Sequence, residues 1–350
     1  MTNPDLPKCA LCKVNDPDQT GSHMVPFFLM RRVDGEGGSK ERGKELGFKI
    51  TASDVEFYHG QSVLPEKIEE LIGDRTDDEI EAAKEDARSE VIVDNILCSD
   101  CEKRFGALES HYAQSFSKFD SKDYKSKVKS HLALLFWFGI LWRMSVVKLD
   151  KVSLKSNEQE RLRMILHKYM NPDLPQIKPE PNDSLLNSIS YKIGRCPDYS
   201  NEHDTVMVGS PVHRRPYCLL LDEFCIYFYM KRSHENSVEQ SFFGTEKLMK
   251  EAPMNDTFNG EQIKYITPEE LEDIIKSAFI VSKGNILKFV SRKLDEIHHL
   301  LTNRKEPMPY ALKAEVERRL KESDIEEGRK YSLKEIYTHT LAVLKRFTND

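Results

Sequence analysis

The sequence has no strong excess of either charge, no internal repeat and no long hydrophobic run. Its 350 residues include 52 basic and 58 acidic side chains, which gives a formal net charge of −6 at pH 7. This balance argues against a protein whose whole surface coats nucleic acid. The longest apolar run, Leu132 to Trp142, has 11 residues, whereas a membrane-spanning helix needs about 20. We therefore expect a buried core helix there and no association with membranes.

The number of cysteines is odd, whereas a framework of disulfide bonds needs an even number. The chain has seven cysteines, and four of them stand in two C-x-x-C pairs. The N-terminus is polar and reaches Cys9 without an apolar stretch, so we expect no signal peptide. Bound metal in a reducing compartment explains this cysteine usage better than disulfides do. We expect a cytoplasmic protein, with a chain long enough for two domains or more.

The two cysteine pairs have identical spacing, Cys9-Ala-Leu-Cys12 and Cys98-Ser-Asp-Cys101. Each pair supplies two thiolates on one tight turn, and four soft ligands complete the tetrahedron that zinc prefers. The spacing predicts one structural Zn²⁺ that joins the two turns. Four thiolates leave no open coordination position, so this zinc would not be a catalyst. The alternative is that the four cysteines are unrelated.

His23 and Glu102 occupy chemically useful places beside the two pairs. His23 lies in an expected short strand and follows Ser22, whereas Glu102 opens an expected helix directly after Cys101. A neutral imidazole can deprotonate an attacking water, and a carboxylate on a rigid turn suits a hard divalent cation. Each residue also has an ordinary alternative. His23 would be a satisfied polar residue, and Glu102 a first-turn acid that complements the helix dipole.

This arrangement resembles the HNH (His-Me finger) nucleases, in the subgroup with two zinc knuckles around a ββα-metal core. In that subgroup the first pair precedes Asp-His or Glu-His on a strand, and Asn follows the second pair directly on the helix. Here Ser22-His23 stands in place of Asp-His, and Cys101-Glu102 in place of Cys-Asn. The resemblance covers residues 9–30 and 95–112. More narrowly, TGSHMVPFFL, LCSDCEKRF and LFWFGILWR resemble a largely uncharacterised group of bacterial HNH-like proteins, as far as about residue 147.

The resemblance implies an α+β fold with a zinc-stabilised ββα-metal core, and metal-dependent hydrolysis of nucleic-acid phosphodiesters, with DNA as the first expectation. His23 would be the general base, and Glu102, with Ser22 or a water that it holds, would bind Mg²⁺ or Mn²⁺. A bacterial defence effector is the implied setting. Ser22 is a poorer ligand than a carboxylate, whereas Glu102 replaces an amide. The alternative from another class is a non-catalytic, zinc-finger-like module that binds nucleic acid or protein.

Charge changes sign along the N-terminal half. Residues 54–102 carry 16 acids and 4 bases, a net of −12, whereas residues 103–155 carry 11 bases and 4 acids, a net of +7. Such blocks are usually solvated faces, and the basic one is the candidate for phosphate contact. The stretch between the knuckles, about 31–95, is longer than a compact finger needs. We expect an acidic insertion outside the zinc core, with a helix within residues 65–90.

The remaining pattern predicts three regions: a zinc-knuckle domain at 1–120, a helical region at 121–170 and a C-terminal α+β region at 171–350, which a proline-rich stretch at 171–183 introduces as a linker. The trigger, the sequence preference and the oligomeric state stay open. Two helices are expected from Glu102 to about Phe119 and from Lys125 to Val147. Three more are expected to begin at a capping box of Ser156 with Gln159, at Thr267-Pro268-Glu269 and after Ser332. Strands are expected at Thr205–Val208 and at Tyr217–Met230, the latter with a turn at Asp222-Glu223.

Two further residues could support the candidate site. Glu109 lies seven positions after Glu102, so both side chains share one face of the expected helix. Arg143 ends the apolar run, where a buried ion pair and a phosphate clamp are the two alternatives. The ion pair is the expected one.

Overall fold

The computed structural model describes residues 8–33, 46–50, 55–59, 91–115, 122–209, 215–235, 242–303, 305–327 and 333–347. The fold is mixed α+β, as the sequence predicts. The chain divides into two compact units: unit 1 comprises Met1–Lys44 and Arg88–Ile275, and unit 2 comprises Glu45–Ala87 and Lys276–Asp350. The proline-rich stretch 171–183 therefore runs within unit 1. The expected helix at 65–90 lies outside the described residues.

The elements are numbered along the described chain. The strands are β1 Ser22–His23, β2 Leu46–Ile50, β3 Val55–His59, β4 Ile92–Val93, β5 Tyr124–Lys125, β6 Ser190–Arg195, β7 Met207–Gly209, β8 Tyr217–Leu221, β9 Phe224–Tyr229 and β10 Gln262–Tyr265. The helices are α1 Phe27–Val33, α2 Ser99–Ala113, α3 Ser130–Val147, α4 Ser156–Tyr169, α5 Glu246–Glu251, α6 Pro268–Thr302, α7 Tyr310–Glu327 and α8 Leu333–Phe347.

Unit 1 contains a six-stranded sheet with the order β5-β10-β6-β9-β8-β7. Its neighbours are antiparallel except for the parallel pair β10 and β6. β8 and β9 form the hairpin that the sequence predicts, with Leu221 opposite Phe224 around the Asp222-Glu223 turn. Every residue of both strands is buried. Both faces of this hairpin are therefore covered by apolar side chains.

α3 is the core helix that the apolar run predicts. Trp137 and Phe138 pack on the sheet, with ring centroids 5.0 Å from Phe224 and 5.2 Å from Phe228, respectively. α3 is long and apolar enough to cross a membrane by length and composition, but 78% of it is buried inside the protein. The expected start at Lys125 was wrong, because residues 124–125 pair with β10 as strand β5.

A buried carboxylate joins the helices to the sheet. Glu261 accepts hydrogen bonds from the hydroxyl of Tyr191 (2.8 Å), the hydroxyl of Tyr112 (3.0 Å) and Nε1 of Trp137 (3.0 Å). Burial raises the pKa of Glu261, and these donors oppose that rise. Since the donors come from β6, α2 and α3, the network fixes α2, the helix that carries Glu102, relative to the sheet.

Helix starts were predicted with mixed success. α6 begins at Pro268 as expected, and Thr267 and Glu270 form a capping box, with Glu270 N donating to Thr267 Oγ1 at 3.2 Å. The capping role of Ser156 was wrong, because Ser156 is the first helical residue and Lys155 occupies the cap position without a side-chain hydrogen bond. α8 begins at Leu333, as expected.

Unit 2 contains a β-hairpin and helices. β2 pairs antiparallel with β3, with Leu46 opposite His59 and Ile50 opposite Val55. Its apolar core is formed by side chains from α6, α7, α8 and the loop after α6: Val290, Leu294, Ile297, Met308, Val316, Leu320, Ile336 and Val343. Unit 2 thus has a hydrophobic cluster of its own.

A charge cluster lies at the β8–β9 turn. Arg32 of α1 pairs with both turn acids, with 3.1 Å between its Nε and Asp222 Oδ2, and Arg195 pairs with Glu223 at 3.1 Å. Thr205 donates to Asp222 at 3.2 Å. Burial raises the pKa of Asp222 to about 7, although the Arg32 charge opposes the rise. The cluster ties α1, which follows the candidate His23 strand, to the sheet.

This pKa predicts a pH-dependent effect of Asp222→Asn. Folded Asp222 holds its proton to a higher pH than in the unfolded chain, so its contribution to stability is present below about pH 4 and is lost as pH rises towards 7. The variant should therefore gain stability relative to wild type between pH 4 and pH 8, by up to about 4 kcal/mol. Urea unfolding followed by the fluorescence of Trp137 and Trp142, both in α3, measures this difference.

Asp123→Asn is the control for that experiment, because Asp123 is an exposed partner of Lys264. Its stability relative to wild type should change little over the same pH range. A difference between Asp222→Asn and wild type that stays constant from pH 4 to pH 8 contradicts the assignment.

Candidate metal centre and the adjoining site

The four predicted cysteines form one cluster. The Sγ atoms of Cys9, Cys12, Cys98 and Cys101 all lie within 4.8 Å of one another, and Cys12 Sγ lies 4.0 Å from Cys98 Sγ. All four are free thiols. A tetrahedral zinc about 2.3 Å from each sulfur sets the sulfurs about 3.8 Å apart. The cluster could therefore hold a metal ion such as zinc.

Hydrogen bonds to sulfur prepare the cluster for a cation. Cys98 N donates to Cys9 Sγ at 3.3 Å, and Asn15 Nδ2 donates to Cys98 Sγ at 3.6 Å. A hydrogen bond with Cys101, together with backbone N–H groups, lowers the pKa of Cys9 to about 4, whereas the same pairing raises the pKa of Cys101. N–H donors around thiolates are typical of metal–sulfur sites. This donor set fits Zn²⁺.

The second cysteine turn is also the start of α2. Cys98 occupies the N-cap position, and Asp18 supplies the capping carboxylate from the first knuckle region. Ser99 N donates to Asp18 Oδ1 at 2.7 Å, and Ser99 Oγ donates to Asp18 Oδ2 at 2.8 Å. The helix therefore begins at Ser99, three residues before the expected Glu102, because a distant residue accepts the bond from its first N–H group.

A short two-stranded sheet, the β1–β4 strand pair, precedes this helix in the chain. β1 pairs antiparallel with β4, with Ser22 opposite Val93 and His23 opposite Ile92. Met24 N extends the pairing by donating to Val91 O at 2.7 Å. The local order is strand, strand, helix: the first strand carries His23, and the helix carries Glu102. The pairing of β1 with β4 confirms the expected strand at His23.

Ser22 and Glu102 are in contact. Ser22 Oγ donates to Glu102 Oε2 at 3.1 Å, and Ser22 is only 1% exposed. Burial raises the pKa of Glu102, while the charge of Arg143 and the Ser22 hydrogen bond act in the opposite direction. Two of the predicted site residues are thus adjacent, at the junction of β1 and the first turn of α2.

His23 follows Ser22 in β1 and is half-buried. Its imidazole meets the ring of Phe27 edge-on, with 5.6 Å between centroids, and its carbonyl oxygen accepts a hydrogen bond from Arg143 Nη1 at 2.8 Å. Arg143 also forms an ion pair with Glu109, with 2.5 Å between Nη2 and Oε1. The expectation of a buried ion pair at Arg143 is confirmed. Its contact with His23 was missed, because nothing local signals a bond between residues 120 positions apart.

The other cysteines belong to the sheet. Cys196, Cys218 and Cys225 are buried in one apolar cluster of unit 1, and burial raises the pKa of Cys225 to about 12. Among the residues that the structure describes, the only group of three or more metal-binding side chains is the four-cysteine cluster.

Comparisons with known protein families, with curated proteins and with solved structures find no match for this chain. Function must therefore be inferred from the residues themselves. Three features bear on function: the four-thiol cluster, the β1–β4 strand pair with Ser22 and His23, and α2 with Glu102.

Proposed function

We propose that this protein is a metal-dependent nuclease of the HNH type that hydrolyses phosphodiester bonds of nucleic acid. One observation carries the proposal: β1, which pairs with β4 about 70 residues later, carries both His23 and Ser22, and Ser22 Oγ lies 3.1 Å from the carboxylate of Glu102. A C-x-x-C turn, a strand that carries His, a second C-x-x-C turn and a helix, in this order, are what the resemblance to zinc-knuckle HNH nucleases implies.

The four-cysteine cluster would hold a structural Zn²⁺. Four thiolates fill the coordination shell and leave no position for a substrate. One cysteine pair precedes β1 and the other follows β4 in the chain, and Cys98 and Cys101 belong to the start of α2. Zinc would therefore keep the His23 strand and the Glu102 helix at a fixed distance, without taking part in the reaction.

A hard divalent ion, Mg²⁺ or Mn²⁺, would supply charge stabilisation at the leaving oxygen. Glu102 is the residue that would hold it, since its carboxylate is half-buried and is oriented by Ser22. Magnesium often binds through one or two carboxylates, with waters and substrate phosphates completing the shell. One carboxylate fits that mode, whereas the Glu109 carboxylate is already paired with Arg143.

His23 would take the proton of the attacking water. A neutral imidazole can act as a general base by accepting a proton from water. The edge contact with Phe27 limits how the ring can turn, and the bond from Arg143 holds its main chain. Exposed lysines of the basic block, among them Lys125, Lys127 and Lys129, would contact phosphates.

The test is cleavage of supercoiled plasmid, double-stranded DNA and single-stranded RNA by zinc-loaded protein. Mg²⁺ or Mn²⁺ should permit cleavage of at least one substrate, and the rate should fall as salt rises, because phosphate contacts weaken with ionic strength. Omitting the divalent ion should stop cleavage while zinc stays bound. No cleavage of any substrate at low salt contradicts the proposal.

The second candidate is a non-catalytic module that binds nucleic acid or protein. The observation in its favour is Ser22 itself: the position that resembles an Asp ligand holds a buried hydroxyl, which Glu102 uses as a hydrogen-bond donor. Glu102 would then be a first-turn acid of α2 and would need no metal.

Ser22→Asp separates the two candidates. A second carboxylate beside Glu102 creates a like-charge pair, and one or more pKa units of repulsion cost about 1.4 kcal/mol each. We expect a melting temperature lower by about 2–8 °C in metal-free buffer with zinc retained. Millimolar Mn²⁺ should raise it more than in wild type, since an ion that binds only the folded state stabilises it. Thermal unfolding with and without Mn²⁺ measures both effects.

Ser22→Ala is the matched control, because it removes the hydroxyl and adds no charge. Its response to Mn²⁺ should not exceed that of wild type. If Ser22→Asp also responds to Mn²⁺ no more than wild type does, no divalent-ion site exists beside Glu102, and the binding module becomes the better assignment.

A further inference from the structure

We propose that Arg143 is a positioning residue of the candidate site, which holds the main chain of His23 in a fixed orientation relative to α2. This inference deepens the proposed function and rests on it for its effect on cleavage. Arg143 lies at the end of α3, 120 residues after His23, and makes no contact that would let it serve as a surface phosphate clamp, since it is only 2% exposed.

The guanidinium of Arg143 is fixed at two ends. Nη1 donates to His23 O at 2.8 Å, and Nη2 pairs with Glu109 Oε1 at 2.5 Å. The central carbon lies 4.5 Å from the ring centroid of Phe105, which itself stacks on Trp142. A buried cation is costly unless charge and hydrogen bonds compensate it. Glu109 supplies the charge, and the strand carbonyl supplies a further acceptor.

The carbonyl bond matters because β1 is short. β1 has two residues, and within the described part of the chain it pairs only with β4, so few backbone bonds fix its orientation. Ser22 is tied to the first turn of α2 through Glu102. His23 is tied through Arg143 to Glu109, about 10.5 Å further along the same helix. Two attachment points set the angle between strand and helix, whereas one point would leave the strand free to rotate.

The packing around Arg143 shows why another side chain cannot replace it. Gly139 faces Phe105, and a Cβ at that position would lie 3.2 Å from Phe105 Cε1. Phe105 therefore comes close to α3 and forms a flat surface under the guanidinium. A lysine keeps the charge but has one ammonium group, which cannot reproduce the planar fork that serves two acceptors at once.

Arg143→Lys is the test variant, and Arg161→Lys is its matched control. Arg161, on α4, is also partly buried and donates from Nη2 to a backbone carbonyl, that of Met230. Among the hydrogen bonds of the described residues, none joins Arg161 to β1 or β4. The pair of variants therefore separates the loss of a buried Arg–carbonyl bond in general from the loss of the bond to His23.

We expect Arg143→Lys to lower kcat by about 10- to 100-fold with KM within about twofold, because small displacements of a reacting group cost rate rather than substrate binding. Zinc content should stay at the wild-type value. Arg161→Lys should stay within about twofold of wild type in both constants. Glu109→Gln should fall between them, since the amide oxygen still accepts a bond from Arg143 but no longer offers a charge.

A second readout does not depend on cleavage. In protein with isotope-labelled histidine, the imidazole signals of His23, assigned with His23→Gln, should shift in Arg143→Lys and remain in place in Arg161→Lys. If wild type cuts no nucleic acid but this shift occurs, the positioning role stands and the proposed function fails. If wild type cuts, and Arg143→Lys retains wild-type kcat and an unshifted His23 signal, the positioning role is wrong. Equal losses in both lysine variants also overturn it.

Discussion

Cys98→Ala should prevent the four-thiol cluster from holding a metal ion and should unfold the β1–β4 strand pair and the start of α2. The expected loss is the largest in the protein, because structural zinc sites of four ligands contribute apparent binding free energies of about 10–16 kcal/mol that are coupled to folding. Cys98 is both a member of the four-thiol cluster and the N-cap residue of α2. Elemental analysis should find one zinc per chain in wild type, and thermal unfolding should begin at a much lower temperature in the variant.

The matched control is Cys225→Ala. Cys225 is equally buried but lies in β9, within the sheet core. Its loss should leave zinc content unchanged and cost about 1–2 kcal/mol, as expected for a small cavity. A wild-type protein that is purified without zinc, or a Cys98→Ala variant with the stability of wild type, contradicts the assignment of the cluster.

His23→Ala should remove nearly all cleavage and leave the fold intact. Loss of a general base typically lowers the rate by about 10²–10⁴-fold. His23 lies outside the four-thiol cluster, and Arg143 bonds to its main-chain carbonyl, which alanine retains. We therefore expect unchanged zinc content, a melting temperature within a few degrees of wild type and single-turnover rates reduced by at least about 100-fold.

His111→Ala is the control for that variant. His111 lies in the last turn of α2, about 13 Å along the helix from Glu102, and is half-buried like His23. Its removal should leave the cleavage rate within about twofold of wild type, since its distance excludes it from proton transfer at the site. Equal rates for His23→Ala and wild type would exclude His23 as the base.

Local patterns in the sequence account for much of what the structure contains. The C-x-x-C spacing predicted the cysteine cluster, because two thiols on a tight turn need only one partner turn to complete a metal site. The β8–β9 hairpin followed from two apolar runs around Asp222-Glu223. The core helix α3 followed from an apolar run too short for a membrane span. In each case the pattern that led to the prediction is local, although the two cysteine turns of the first case lie 86 positions apart.

The misses involve contacts between distant residues. The predicted helix began at Lys125, because lysines at 125–129 precede an apolar run. In the structure, Tyr124 and Lys125 instead pair with β10, 137 residues further along the chain. Ser156 matched a capping pattern, but the helix includes it. The bond from Arg143 to His23 and the three bonds that Glu261 accepts from Tyr191, Tyr112 and Trp137 have no local signature. Burial can bring these groups together only once the chain has folded.

The most direct test of the central claim is the single-turnover cleavage rate of zinc-loaded protein as Mn²⁺ is titrated, with wild type and His23→Ala compared on the same DNA and RNA substrates. If the protein is a metal-dependent nuclease with His23 as its base, the wild-type rate should rise with Mn²⁺ to saturation and return to zero when Mn²⁺ is removed and zinc is retained. The His23→Ala rate should be at least about 100-fold lower at every Mn²⁺ concentration. Cleavage that is absent, independent of added Mn²⁺, or equal in the two proteins would contradict it.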